Sequence, residues 1–205
     1  MVGILLALFA TTDDELVRRF KGGDLAAFSE IVKRYQDRVF TLCLRWLGDR
    51  EAAEETAQDV FLALYRSLHD FRGESQLSTW IFRVATNHCK NRRMYRIRRA
   101  HDRHEPLDSP GTEDAPPRQI PDPGPGTDSG LHRSEAEEIL EKGLAQLDET
   151  HRSILVLRDI EDLSYEEIAD ILSLPRGTVK SRLHRARAEL ARVLGRWLGP
   201  GDVLD

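Results

Sequence analysis

Between Arg176 and Arg187 the chain places five basic residues, Arg176, Lys180, Arg182, Arg185 and Arg187, and no acidic one. Arginine and lysine donate to guanine O6 and N7, and serine and threonine bind bases or phosphate. Arg176, Thr178, Lys180, Ser181, His184 and Arg185 are therefore candidates for reading duplex DNA. The bland alternative is a helical hairpin with a solvated basic face. A second basic run, His88–His104, holds seven Lys and Arg residues against the single acid Asp102. Ahead of it, Asp70–Trp80 is rich in hydroxyls and flanked by aromatics. Aromatic faces stack unpaired bases, asparagine reads base edges and basic side chains track phosphate. On that chemistry Arg72, Ser75, Ser78, Thr79, Trp80, Arg83, Asn87, Lys90, Asn91 and Arg93 suit single-stranded or melting DNA. Phe71, Trp80 and Phe82 read equally well as core.

These groups need rigid elements to hold them. Ser164-x-x-Glu167 has capping-box spacing ahead of the apolar positions Ile168, Ala169, Ile171 and Leu172. Ser173–Gly177 breaks that helix. Thr178 is placed to cap the next, whose apolar seam runs Val179, Leu183, Ala186, Leu190 and Val193. Two short helices joined by a tight turn, the second basic on its outer face, have helix-turn-helix geometry. The first cluster is expected on a loop over 70–80 leading into a helix over 81–93. Upstream, Thr12-x-x-Glu15 opens a helix, and Val39/Phe40, Cys43/Leu44, Leu47 and Val60/Phe61, Leu64/Tyr65, Leu68 repeat at helical spacing. Breaks are expected at 22–24, 48–49 and 72–75. On the helix after 49, Glu51, Glu54, Glu55 and Asp59 make an acidic face in a basic neighbourhood. Such a face wants a positive partner other than DNA, or is simply solvated.

The segment 105–130 carries seven of the nine prolines and four glycines with almost no aliphatics, so it cannot bury a core and is expected to be a flexible linker. Ser134-x-x-Glu137 restarts helix, continued by Ile139, Leu140, Leu144 and Leu147. The expected architecture is all-α: two small helical domains, 11–100 and 134–198, joined by a Pro/Gly-rich acidic linker over 101–133.

The net charge of −5, from 30 basic and 35 acidic residues, argues at first against nucleic acid. Resolved along the chain it is +4 over 1–104, −13 over 105–174 and +4 over 175–205. Two basic footprints flank an acidic middle. Met1–Ala10 is apolar but lacks a basic n-region and a clear cleavage site, so it is not expected to be a signal peptide. It reads as a first turn tucked against the body, or as residues of no consequence. No apolar run approaches the ~20 residues of a membrane span, so no membrane attachment is expected. Two cysteines, Cys43 and Cys89, cannot form a disulfide framework and suit a cytoplasmic location. Cys89, beside His88, is a weak candidate redox thiol. No catalytic constellation, metal-ligand spacing or phosphate-cradling glycine loop is present, so neither an enzyme nor a cofactor, metal or small-molecule substrate is expected.

Four stretches in this order, 49–62 (DREAAEETAQDVFL), 71–75 (FRGES), 78–91 (STWIFRVATNHCKN) and the pair 163–169 (LSYEEIA) with 177–187 (GTVKSRLHRAR), resemble the extracytoplasmic-function (ECF) sigma factors of bacteria. The resemblance implies that Glu55, Gln58 and Asp59 dock on the clamp helices of core RNA polymerase. It implies that the loop Arg72–Thr79 holds a flipped base of the minus-ten element, while Asn87 and the basic residues after it engage adjoining duplex and phosphates. Lys180, Ser181, His184 and Arg185 match the minus-thirty-five contacts. It also implies an anti-sigma partner, and a linker threading the polymerase cleft. The acidity of the linker here suggests the further hypothesis that it mimics nucleic acid in that cleft. Two positions depart from the pattern: Asn91 stands where many members carry aspartate, and Ser173 where the turn often has glycine. The residues alone leave two rivals, a self-sufficient helix-turn-helix regulator and a nucleic-acid enzyme. The second lacks a nucleophile or metal cluster.

Overall fold

The computed structural model describes residues 11–102 and 135–197. Met1–Ala10, Ser134 and almost all of the expected linker lie outside the described residues. The described part is helical throughout. Helix α1 (Asp13–Lys21) starts where the Thr12 hydroxyl accepts the Glu15 amide. Helix α2 (Leu25–Leu47) is capped by Asp24 and closed by Gly48 at φ 68°, a left-handed conformation that glycine adopts without Cβ penalty. Asp49 then accepts the Ala52 amide at 2.8 Å and opens α3 (Arg50–Ser67). A single 3-10 turn, Leu68–Asp70, and a short loop lead to α4 (Leu77–Asp102).

The expected periodicity puts Val39, Cys43, Leu44, Val60, Leu64 and Leu68 into the core, together with Leu16, Phe20, Trp46, Ile81, Phe82 and Cys89. Phe40, Leu47 and Phe61 are only half-buried against it, and Tyr65 stands outside. It is 45% exposed and lies edge-on to Phe20 and Phe28 rather than inside. Cys43 and Cys89 are both buried with Sγ atoms 3.7 Å apart. The contact with Cys43 and burial push the Cys89 thiol up, which suppresses the reactive thiolate.

After residue 134 the chain forms α5 (Glu135–Gln146), α6 (Glu149–Leu155) capped by Asp148, a π-turn over Val156–Ile160, α7 (Tyr165–Leu172) and α8 (Arg176–Leu194). The Ser164–Glu167 capping box forms in both directions. Between α7 and α8, Ser173 takes φ 54°, ψ 48°, where an L side chain is strained. Ser173→Gly is expected to raise stability by about 0.5–1 kcal/mol, seen as a higher urea midpoint with unchanged slope. Thr178 does not cap α8 as the sequence suggests. The helix begins three residues earlier behind Pro175, without a side-chain cap, because proline's fixed φ suits a helix start.

The two bundles do not stand apart. Their buried side chains merge into one apolar cluster, with α2 against α5, α6 and the π-turn, and α4 against α7. Arg152 of α6, only 6% exposed, fastens the junction. Its guanidinium donates to the carbonyls of Leu144, Ala145 and Leu147 at the end of α5, and at 2.8 Å to the carbonyl of Trp46 at the end of α2. One side chain thus satisfies the orphan carbonyls of a helix from each bundle.

Candidate nucleic-acid interface

Helix α8 has two faces. Val179, Leu183, Ala186 and Val193 are buried with Leu190 packed beside them, as the seam predicts. Arg176, Lys180, Ser181, His184 and Arg185 are exposed on the other side, and Thr178 is half-buried. Arg176 pairs with Glu166 at 2.8 Å and Arg187 with Asp159 in a forked contact, while Arg185 Nε lies 3.3 Å from its own helix's Ser181 carbonyl. Seen this way, Arg187 stays on its own bundle. Lys180, Ser181, His184 and Arg185 form one outward basic patch on a rigid helix.

The aromatic and hydroxyl cluster is built differently from expectation. Helix α4 begins at Leu77, four residues before the expected start, so Ser78, Thr79 and Trp80 form its first turn rather than a loop. The loop proper is 71–76, bent at Gly73 with φ 72°. Arg72, Asn87 and Asn91 are exposed; Ser75, Ser78, Arg83, Lys90 and Arg93 are half-buried. Trp80 is half-buried, tilted against Phe71 with ring centroids 5.2 Å apart, so it combines both readings: partly core, partly surface. Thr79 is 1% exposed. Its hydroxyl donates at 2.8 Å to Glu167 of the other bundle.

That contact is one of a row. Arg38 of α2 lies over the Phe82 ring at 4.7 Å and donates to the Glu161 carboxylate at 2.9 Å. Arg83 faces Asp170 at 3.9 Å and Arg93 faces Glu149 at 3.7 Å. Burial pushes the Glu161 carboxyl up, and Arg38 offsets only part of this. Burial works against the charge of Glu167 too, but donation by Ser164 and Thr79 outweighs it and holds its carboxyl below the usual range. Arg38 and Glu161 carried no sequence signal as a pair: 123 residues separate them.

A third surface lies on α3. Glu51, Glu54, Glu55, Gln58 and Asp59 are all exposed there. Glu55 pairs with Arg92 of α4 and Glu54 with Arg50. Beside them runs an apolar groove of about 910 Å³ between α2 and α3, lined by Phe28, Val32, Phe40, Phe61, Leu62 and Tyr65, with Gln58 on its rim. Leu62 is 54% exposed. The groove escaped the sequence reading because Phe61 and Tyr65 fit the core periodicity.

Two basic faces and an acidic helix thus stand on one all-helical frame, and the class of protein that carries them is that of the sigma-70 factors. Residues 31–101 match the family Sigma-70 region 2, and residues 137–190 match Sigma-70 region 4. The RNA polymerase sigma-H factor of Pseudomonas aeruginosa is 37% identical, covering 89% of this chain and 93% of that protein. The ECF RNA polymerase sigma-E factor of Haemophilus influenzae is 37% identical over 86% and 92%. The fold is also that of the Bartonella quintana sigma factor RpoE solved with the anti-sigma factor NepR: TM-score 0.64, 22% identity, 82% of this chain and 96% of that one. The chain belongs to the ECF RNA polymerase sigma factors, non-enzymatic proteins that direct polymerase to promoters through regions 2 and 4. No helix among the described residues is long and apolar enough to cross a membrane.

Proposed function

We propose that the three surfaces divide promoter recognition among them, in the cytoplasm and on the nucleoid. Glu55, Gln58 and Asp59 of α3 dock on core polymerase. Arg72, Ser75, Ser78, Thr79, Trp80, Arg83, Asn87, Lys90, Asn91 and Arg93 take the minus-ten element as a melted strand. Arg176, Thr178, Lys180, Ser181, His184 and Arg185 read the minus-thirty-five element as duplex. The domains are 11–100 and 134–198, with 101–133 spanning between them. The observation that carries this reading is α8: a helix buried along one seam, with an opposite face of Lys180, Ser181, His184 and Arg185 open to solvent. A basic, hydroxyl-bearing helix face is what the major groove accepts.

Several facts support the polymerase assignment. The acidic stripe of α3 is solvent-facing and flanked by an open apolar groove. The pairing of charge with exposed apolar surface is that of a protein-docking face. An anti-sigma factor is the further partner, in line with the NepR complex of the Bartonella protein.

Asp59→Lys tests the docking face. Asp59 is exposed, so the fold should survive. Affinity for core polymerase is expected to fall at least about tenfold, since an attraction becomes a repulsion at an interface. Unchanged core affinity in a fluorescence binding assay would remove α3 from the docking surface.

A further inference from the structure

Where α2 ends against α4 and α6, the surface opens into a cavity of about 350 Å³, separate from the groove on α3. Its lining is of two kinds. Trp46, Leu47 and Ile97 supply an apolar part, and Arg93, Arg96 and Arg152 bring three guanidiniums to the same space. Arg152 comes from region 4 and the other five from region 2.

Donors outnumber acceptors around this cavity. Arg93 reaches Glu149 only at 3.7 Å and Arg96 reaches Asp49 only at 3.9 Å, both beyond hydrogen-bond distance. Arg152 spends four of its five N–H groups on carbonyls and keeps one. Burial and the neighbouring charge of Arg93 push its guanidinium down, an effect that Glu149 and Asp148 counter. Trp46 is fully buried, and its indole N–H has no hydrogen-bond partner among the described residues. We propose that the cavity binds a small phosphate monoester of nucleotide size. Arg93, Arg96 and Arg152 hold the phosphate, and the ring lies against Leu47 and Ile97.

A phosphate fits the donor set because guanidinium forks onto it with two parallel bonds, which neither acid receives here. The acids yield at little cost. Glu149 is exposed at the seam, and Asp49 keeps its Oδ1 on the Ala52 amide when Arg96 turns away from Oδ2. The volume stands at the small end of the ~300–1,000 Å³ of small-molecule sites, which suits one ring and its phosphate. The same chemistry could come from a free nucleotide or from a strand of nucleic acid along α4. A terminal phosphate carries a charge of about −1.5 to −2, more than the single charge of a strand phosphate, and three guanidiniums favour it. Arg93 also stands in the set assigned to the melted strand, so a bound monoester takes one cation from that set.

The test is calorimetric titration of the full chain with the four nucleoside 5′-monophosphates, with adenosine and inorganic phosphate as controls. At least one monophosphate is expected to bind one-to-one and to raise the thermal unfolding midpoint, since the site draws on both bundles. Adenosine and inorganic phosphate each lack one of the two kinds of contact and should bind at least about tenfold more weakly. Arg96 and Ile97 are exposed, so Arg96→Ala and Ile97→Asp should leave the fold intact. Each is expected to weaken the monophosphate at least about fivefold, and Arg96→Lys should recover part of the loss. Binding by none of the four, or binding that Arg96→Ala and Ile97→Asp leave unchanged, would overturn the proposal. So would an equal loss, in Arg96→Ala, of affinity for the monophosphate and for a short mixed-sequence single strand without a terminal phosphate. That result would make the cavity part of the strand's path.

Discussion

Arg152→Ala is expected to cost about 3–5 kcal/mol of folding stability, because it would remove a charged donor shared by four carbonyls and leave those of Leu147 and Trp46 buried without it. The side chain is 6% exposed, and each of its bonds runs to a carbonyl at a helix end: 2.7 Å to Leu144, 2.7 Å to Ala145, 2.9 Å to Leu147 and 2.8 Å to Trp46. Alanine removes every donor and opens a cavity at the seam between the bundles. Lysine restores the charge but not the planar fork, so Arg152→Lys should recover only part of the loss. Urea and thermal unfolding measure the effect, with a midpoint drop of about 8–15 °C for the alanine variant at this chain length. A loss below about 1 kcal/mol would mean that water replaces the guanidinium freely and that the seam is looser than the geometry indicates.

The second large effect lies on α8. Lys180→Ala and Arg185→Ala are each expected to weaken holoenzyme binding at a matched promoter by about 1–3 kcal/mol. Both side chains are exposed, and neither contributes to the seam of Val179, Leu183, Ala186 and Val193, so the fold should be unaffected. The pattern of loss carries more information than its size. A base contact fails at one promoter position and relaxes discrimination there, whereas a phosphate contact weakens every sequence alike and lowers the salt dependence. A panel of promoters substituted position by position in the minus-thirty-five element distinguishes the two. Arg187, forked onto Asp159, should show the smaller effect.

Locally encoded features were legible in the sequence. Asp49 and Gly48 announce one helix end and the next start within two residues, and Ser164 with Glu167 announce α7 within four. The seam of α8 follows from spacing alone. What escaped depends on distant groups. Thr79 reads as an exposed hydroxyl beside a strand-binding loop, yet its partner lies 88 residues away. Arg152 reads as one basic residue in an acidic stretch, and only the approach of α2 shows it to be a double helix cap. Thr178 fits a capping pattern, but Pro175 starts α8 first. The acidic stripe at 51–59 was visible as a helix face, while the groove beside it was not, since aromatic residues at core spacing look the same whether covered or open.

The central claim is that this chain gives core polymerase its promoter specificity, with α3 docking and α8 reading. Run-off transcription from genomic fragments of the source organism, with core polymerase alone and with core plus this chain, tests it most directly. The expected result is a set of discrete transcripts that appear only with the chain, disappear with Asp59→Lys, and weaken with Lys180→Ala. Tight sequence-specific duplex binding by the chain alone, with no chain-dependent initiation by the polymerase, would contradict it.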